Sequence, residues 1–399
     1  MTSVSNSHVY RSVARFTAGL VLIAVTSRPA SAQTISDVLS FLVKNRSIPT
    51  DDFVRDEQAA QATLDTIADF FVLELGTMPI TSASGPFTYR LDPALGTATR
   101  SSQSFGPSFT ERSLTGGKEQ AAFALTVRTA SFDTLDGRNL RDGTLVSTAS
   151  SLRGEQQPFD VETVTLKIRS QATIFSANYG VTDRLDISGA VPIVRVTLSG
   201  ERVDTYRGRS FVQATGSASS VGLGDIVFQA KYNFLGQGGT GLAVGGETRL
   251  PTGNEDNLLG AGEVSLRPRL MGSVERDRIG LHGDVGYSFR GIVEELDYAG
   301  AVTFVASPRV TLVGETYGRR LNDFDRLVDT TQPHPTLNGV STIRLSSLQE
   351  TRDRVVAVAG VKWNIAGTWL LTANVLHPLG HVGLNASWMP VVTLDYSYR

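Results

Sequence analysis

Charged residues recur at every second position along several stretches of the chain, and this spacing is where chemistry would first be sought. In "GDIVFQAKYNFL", Asp225, Gln229, Lys231 and Asn233 fall on one face of an extended segment. Ile226, Phe228, Ala230, Tyr232 and Phe234 fall on the other, because successive strand side chains point in opposite directions. "GLAVGGETRL" sets Glu247 and Arg249 against Leu242, Val244, Thr248 and Leu250, and "EVSLRPRLMGSV" sets Arg267 and Arg269 against Val264, Leu266, Leu270 and Val274. "IGLHGDVGYSFR" sets His282, Asp284 and Arg290 against Ile279, Leu281, Val285, Tyr287 and Phe289. Paired in chain order, these strands place Lys231, Glu247, Arg249, Arg267, Arg269, His282, Asp284 and Arg290 on one inward surface, with Glu315 joining from a later strand. Two chemistries fit. One is a salt-bridge ladder that fills a narrow interior; the other is a charged wall that selects solutes by field and hydrogen bonding.

Other reactive sets are weaker. A Ser/His hydrolase needs a base within reach of its nucleophile and a third group to orient it. Of the five histidines, His8 lies in the N-terminal leader, His334 sits between prolines, His282 faces the interior, and His377 and His381 flank one strand end. No G-x-S-x-G accompanies them. "LPTGNEDNLLGAG" (250–262) gathers oxygen donors, but consecutive donors do not converge as an EF-hand's alternate ones do. It also lacks the Lys of a phosphate loop and leads into a strand. It reads as a loop between two strands. The chain has no cysteine, so Cys-ligated zinc and thiol nucleophiles are excluded. No cofactor, metal site or catalytic residue is expected.

The elements that must position these residues come next. The chain has 399 residues and a net charge of -2, with no basic patch that would mark nucleic acid as a partner. Arg11 and Arg15, the apolar run Phe16–Val25 and Ala30-Ser31-Ala32 read as a signal peptide over residues 1–32, cleaved near Ala32. Residues 33–117 read as a partly helical N-terminal region. Ile35, Val38, Leu39, Leu42 and Val43 form one apolar helix face behind a Thr34/Asp37 capping box. A second helix carries Leu64, Ile67, Ala68 and Phe71, and a short hairpin follows around Asp92-Pro93. The apolar helix faces need a surface to cover, so this region is expected as a plug in the interior or as an arm at its mouth.

From residue 118 to 399, alternation replaces helical spacing. About twelve runs start near 120, 161, 184, 222, 240, 262, 278, 297, 309, 353, 368 and 390, with fourteen strands possible if 87–101 adds two. Short turns alternate with longer loops at about 133–160, 199–221, 251–261, 291–296, 320–352 and 378–389. That rhythm predicts an all-β fold, a transmembrane antiparallel β-barrel of the bacterial outer membrane, with both chain ends at the short-turn, periplasmic side. A soluble sandwich or closed barrel also alternates. Aromatics at the ends of apolar faces, among them Phe234, Tyr287, Phe289 and Trp369, favour the membrane.

"ETRLPTGNEDNLLGAGEVSLRPRL", preceded by "GLGDIVFQAKYNF", resembles the phenol-degradation MetA-like family of outer-membrane transport barrels. "FGPSFTERSLTGGKEQAAFALTV" and "ANYGVTDRLDISGAVPIVRV" are similar to other segments of such barrels. The chain departs from them at its end, where Arg399 follows Tyr398 in place of a terminal aromatic. The resemblance runs from about Phe105 to the C-terminus and implies passive passage of small hydrophobic or aromatic solutes. Expected partners are that solute, outer-membrane lipid and lipopolysaccharide, and the barrel assembly machinery during insertion. Two alternatives stand beside this reading: a closed structural or adhesion barrel acting through its outer loops, and an outer-membrane hydrolase.

Overall fold

The structure, a computed structural model, describes residues 33–43, 53–76, 85–92, 97–237, 239–291 and 293–398. The leader read at 1–32 lies outside the described residues. Twelve strands build a barrel: β1 (Ala121–Phe132), β2 (Asp160–Gly180), β3 (Leu185–Tyr206), β4 (Ile226–Gln237), β5 (Thr240–Leu250) and β6 (Ser265–Arg276). They continue with β7 (Ile279–Ser288), β8 (Glu295–Ser307), β9 (Val310–Pro333), β10 (Val340–Ala366), β11 (Trp369–Leu379) and β12 (Met389–Tyr398). Neighbours in sequence are neighbours in space, all antiparallel, and β12 returns to β1 from Tyr398↔Ala121 to Val391↔Arg128. The sheet closes and its barrel strands have no free edge. The hairpin of Tyr89–Asp92 with Thr97–Arg100 forms a separate sheet, so the barrel has twelve strands and not fourteen.

The inside-out burial identifies the solvent on each side. Tyr232 is 45% exposed and its neighbour Lys231 only 2%. The same phase holds on the next four strands: Val244, Leu270, Leu281 and Val302 face out, while Glu247, Arg267, His282 and Thr303 are buried. Water would reverse this arrangement; hydrocarbon outside a sheet with no free polar edge favours it. Among the described residues no helix is long and apolar enough to cross a membrane.

The tight turns gather at one end of the barrel with Ala121 and Tyr398; the opposite end carries the long connections. Those connections are more ordered than their sequence suggested. The stretch read as a loop at 320–352 is the continuation of β9 and β10, paired from Val310↔Trp363 to Pro333↔Ser341. The stretch read as a loop at 199–221 is the top of β3 and a partner strand, Arg209–Leu223. Within 133–160, strand Leu145–Leu152 pairs with both β2 and β10 and extends the wall. The reason is physical. Beyond the bilayer neither face has to be apolar, so alternation fades, while Thr and Val still favour a paired, pleated backbone.

Helix α1 (Ile35–Val43) begins at a reciprocal cap: Asp37 N–H donates to Thr34 Oγ1 and Thr34 N–H to Asp37 Oδ2, both at 3.0 Å. Hydrogen bonds from Thr34, its backbone N–H first, hold the Asp37 carboxyl below its ordinary range. All five residues of its apolar face are buried. Burying a residue of this kind stabilises by about 2 kcal/mol, which a nine-residue helix needs because alone it would not form. Helix α2 (Phe53–Gly76) is about 36 Å long at 1.5 Å per residue. Arg55 near its start reaches the Pro333 carbonyl at the tip of the β9–β10 hairpin (3.3 Å), and Leu73 and Glu74 near its end lie between β1, β9 and β10. The helix therefore enters the barrel from the long-hairpin end.

The two helices give that half of the barrel a dry core. Val38 and Leu42 meet the close backbones of Gly200 and Gly216. Phe70 stacks edge-on against Phe324 (4.6 Å) and Phe71 against Phe132 (5.5 Å). The loop "LPTGNEDNLLGAG" joins this core rather than simply facing water. Asn254 caps a turn over Glu255–Asn257, Leu258 takes φ +55°, and Leu258 and Leu259 are buried beside α1. Asp225 fixes the loop by accepting from Gly253 N–H (3.0 Å) and Ala261 N–H (2.7 Å).

Candidate functional site: the occupied lumen

The interior lined by strands β4 to β8 is polar. Glu247 on β5 accepts from Arg249 Nε at 2.8 Å and from Gln229 Nε2 at 2.8 Å, and lies 3.4 Å from Arg267 Nη1. Arg267 also pairs with Glu295, and its Nε lies 3.1 Å from Asp297. Arg269 bridges Asp284 and Asp297. Three guanidiniums and four carboxylates thus form one continuous ladder across four strands. All are nearly or fully buried, so each charge needs its partner: breaking one such pair leaves an uncompensated charge that costs about 3–5 kcal/mol.

A second set of wall residues holds a segment of the chain itself. Residues 104–117 leave the hairpin near the short-turn end, rise into the lumen and return to β1, and every one of them is buried. The segment forms no strand, so its backbone groups must find partners elsewhere. The wall supplies them. Glu315 on β9 accepts from three consecutive amides, Ser108, Phe109 (2.9 Å) and Thr110 (2.7 Å). Asp284 accepts from Glu111 N–H (2.8 Å), Ser273 from Ser113 N–H (2.9 Å) and Asp186 from Gly116 N–H (2.9 Å). In the other direction Lys231 donates to the carbonyls of Arg112 (3.1 Å) and Leu114 (2.9 Å), and Lys362 to that of Pro107 (2.6 Å). Asn233 donates to the Ser113 carbonyl at 2.7 Å.

The segment coming from the short-turn end and α2 coming from the other end approach each other in mid-barrel. Phe109 lies 6.4 Å from the ring of Tyr317, within the same apolar cluster as Phe70, Phe71 and Leu73. The last turn of α2 is met by cations, as the negative end of a helix dipole favours. Arg319 donates to the Leu73 carbonyl (3.4 Å), Arg354 pairs with Glu74, and Arg128 lies 3.8 Å from Glu74. Where the loop rejoins the wall, Gly180 leaves no room for a side chain: a Cβ there would stand 1.8 Å from the Gly117 carbonyl oxygen.

The inward residues read from sequence divide accordingly. Lys231, Asp284 and Glu315 hold the lumen segment; Glu247, Arg249, Arg267 and Arg269 form the ladder, which Asp284 shares. His282 is buried, its Nδ1 3.0 Å from Ser273 Oγ and its Nε2 3.4 Å from Thr303 Oγ1. Arg290 is not an inward residue. Strand β7 ends at Ser288, and Arg290 takes φ +65° in the turn beyond it, exposed at the long-hairpin mouth. There it borders a narrow slit, with Arg249 and Glu295, of about 20 Å³, room for about one water. The other histidines serve turns: His334 Nδ1 accepts from Leu337 N–H (3.1 Å), and His377 Nδ1 donates to the Ser387 carbonyl (2.7 Å). Sequence reasoning missed Asp186, Ser273, Glu295, Asp297, Lys362 and the arginines around Glu74. Most of them sit in the inward phase of a barrel strand, which was the available signal.

A closed antiparallel barrel, apolar outside and filled inside by its own N-terminal region, defines an outer-membrane β-barrel protein. The chain belongs to the family described as "Putative MetA-pathway of phenol degradation", whose sequence model matches residues 153–381, more than half of the chain. No curated protein matches it. Among solved structures it is similar to an outer membrane channel from Pseudomonas putida F1, at 12% identity over 72% of this chain and 98% of that one, TM-score 0.45. A Pseudomonas aeruginosa FadL homologue shares 10% identity over 70% of this chain and 90% of that one, TM-score 0.31. The CymD monoaromatic hydrocarbon channel shares 10% identity over 70% and 88%, TM-score 0.27.

Proposed function

We propose that this protein is a passive outer-membrane conduit for small solutes, aromatic or otherwise apolar in part, and that residues 33–117 are its plug. The observation that carries the reading is how the lumen segment is held. It adds nothing to the closed wall, and side chains from many strands grip it by hydrogen bonds and a few apolar contacts such as Phe109 on Tyr317, so it can leave without unpairing the barrel. In this reading the leader is cleaved near Ala32, the short turns face the periplasm and the long hairpins face outside. Lipopolysaccharide surrounds the outer half, and the barrel assembly machinery inserts the chain. The ladder of Arg, Asp and Glu favours a solute with at least one hydrogen-bonding group, which gains a polar contact along that wall that a wholly apolar one does not. No residue is assigned a catalytic role.

A second reading, a closed structural barrel, draws on the dry core that α1 and α2 build in the long-hairpin half. Swelling of proteoliposomes in phenol or small sugars separates the two. Uptake by the full mature chain supports the conduit. A chain that admits no solute, and still admits none when residues 34–117 are deleted, is a closed structural barrel.

A further inference from the structure

Three cations stand on the outer wall of the barrel with no partner. Lys167 and Arg169 on β2 and Arg195 on β3 are exposed, and they share the outward phase with Phe175, Val191 and Ile193. Among the described residues none of the three meets a hydrogen-bond or ion-pair partner. The inward cations nearby are paired, as Arg202 is with Glu162 at 2.8 Å, and the outward Arg320 on the far side stands opposite Asp353.

Their height on the wall is specific. Going outward along β2, the exposed residues run Tyr179, Ala177, Phe175, then Gln171, Arg169 and Lys167; along β3 they run Ile187, Val191, Ile193, then Arg195. The cations therefore begin where the apolar belt stops. Arg169 is paired in register with Thr197, and Arg195 with Gln171, so the two guanidiniums are diagonal neighbours about 7 Å apart at their β-carbons. Lys167 follows Arg169 at about 7 Å along the strand. One phosphate group fits between such donors, and a pair of guanidiniums binds it in a planar, multidentate way.

The wall also continues past the patch. β3 pairs with Arg209–Leu223 well beyond Arg195, and its outward face there presents Thr197, Ser199, Thr215, Ser217 and Ser219 together with one carboxylate, Glu201. A phospholipid headgroup would not reach that surface; a lipid carrying a phosphorylated sugar would lie along it. We infer that Lys167, Arg169 and Arg195 form a binding site for the phosphate of a phosphorylated glycolipid in the outer leaflet. This rests on the reading above in one respect only, that the long hairpins face outside. It is independent of what passes through the lumen, because all three residues face away from it.

Native mass spectrometry of the detergent-solubilised full mature chain with bisphosphorylated lipid A tests the site. The variant Lys167→Gln/Arg169→Gln/Arg195→Gln is expected to bind lipid A about 100-fold more weakly, at about fivefold per cation lost near an anionic surface. Arg320→Gln is expected to bind as the parent does. Millimolar inorganic phosphate and phosphatidylglycerol should each fail to displace lipid A; displacement by either would replace the glycolipid with a free phosphate or an ordinary anionic lipid and overturn the assignment. A folded triple variant, still resistant to cold SDS, that holds lipid A like the parent also overturns it. The orientation is read separately, by labelling Glu155→Cys on whole cells with an impermeant maleimide, which is unambiguous in a chain without cysteine. Labelling supports the outward face. Its failure would refute the orientation, and with it the site, while leaving the plug and conduit testable by conductance.

Discussion

Glu315 is the place where the lumen segment is most exposed to a single change. Its carboxylate accepts from the amides of Ser108, Phe109 and Thr110, and the residue is 4% exposed. A hydrogen bond to a charged acceptor contributes about 1.5–3 kcal/mol net, against about 1 kcal/mol for a neutral one. Glu315→Gln keeps one carbonyl oxygen, which accepts two of the three amides, and places an NH2 against the third. The segment should lose about 3–4 kcal/mol of docking free energy, roughly two to three powers of ten in the ratio of released to docked states. The wall is spared, because Glu315 pairs with Ala301 and Val358 in the barrel through its backbone register. In planar bilayers at fixed voltage, Glu315→Gln should therefore open at least 100-fold more often than the parent, while both keep the heat-modifiable mobility of an intact barrel. Equal open probability in two intact barrels would refute the idea that this carboxylate holds the segment in place.

Three further perturbations bear on separate parts of the structure. Arg267→Ala with Arg269→Ala, measured in the Glu315→Gln background, removes two charges and leaves Glu247, Asp284, Glu295 and Asp297 with Arg249 alone. The reversal potential should move toward cation selectivity, and an unmoved potential would place the ladder outside the conducting path. Gly180→Ala should dislodge the return of the lumen segment and expose 104–117 to limited proteolysis. Gly314→Ala, where no atom lies within 4 Å of the added carbon, should not. Asp160, at the long-hairpin end of β2, has its carboxyl pushed up from 3.8 to about 7 by burial and then by its hydrogen bond and repulsion with Asp204. Because the folded value is the higher one, its contribution is complete below about 4 and is lost as pH rises through about 7. Thermal stability should fall from pH 5 to pH 8 in the parent and fall less in Asp160→Asn; parallel pH curves would contradict this.

The parts of the fold legible in the sequence were those where one rule acted over many residues. Lipid on one side and a polar interior on the other force a strict alternation, so the phase of Lys231, Glu247, Arg267 and His282 could be read directly. The cap at Thr34 and Asp37 and the apolar face of α1 are local, and local chemistry is visible in a short window. The continuations of β3, β9 and β10 toward the long hairpins escaped because alternation stops where the bilayer stops. Arg290 was assigned by carrying the alternation of β7 two residues too far, past a strand end that Gly291 and a left-handed backbone make. The lumen segment had no period to find. Its conformation is set by Glu315, Asp284, Lys231 and Lys362, which are remote in sequence and come together only when the barrel closes.

In the proposed conduit the N-terminal region, not the barrel wall, blocks the lumen. Single-channel conductance of the mature chain beside a chain lacking residues 34–117, both reconstituted as intact barrels, tests it most directly. The truncated barrel should show a large, continuous conductance where the full chain is closed or opens only briefly. Equal conductance from the two would contradict it.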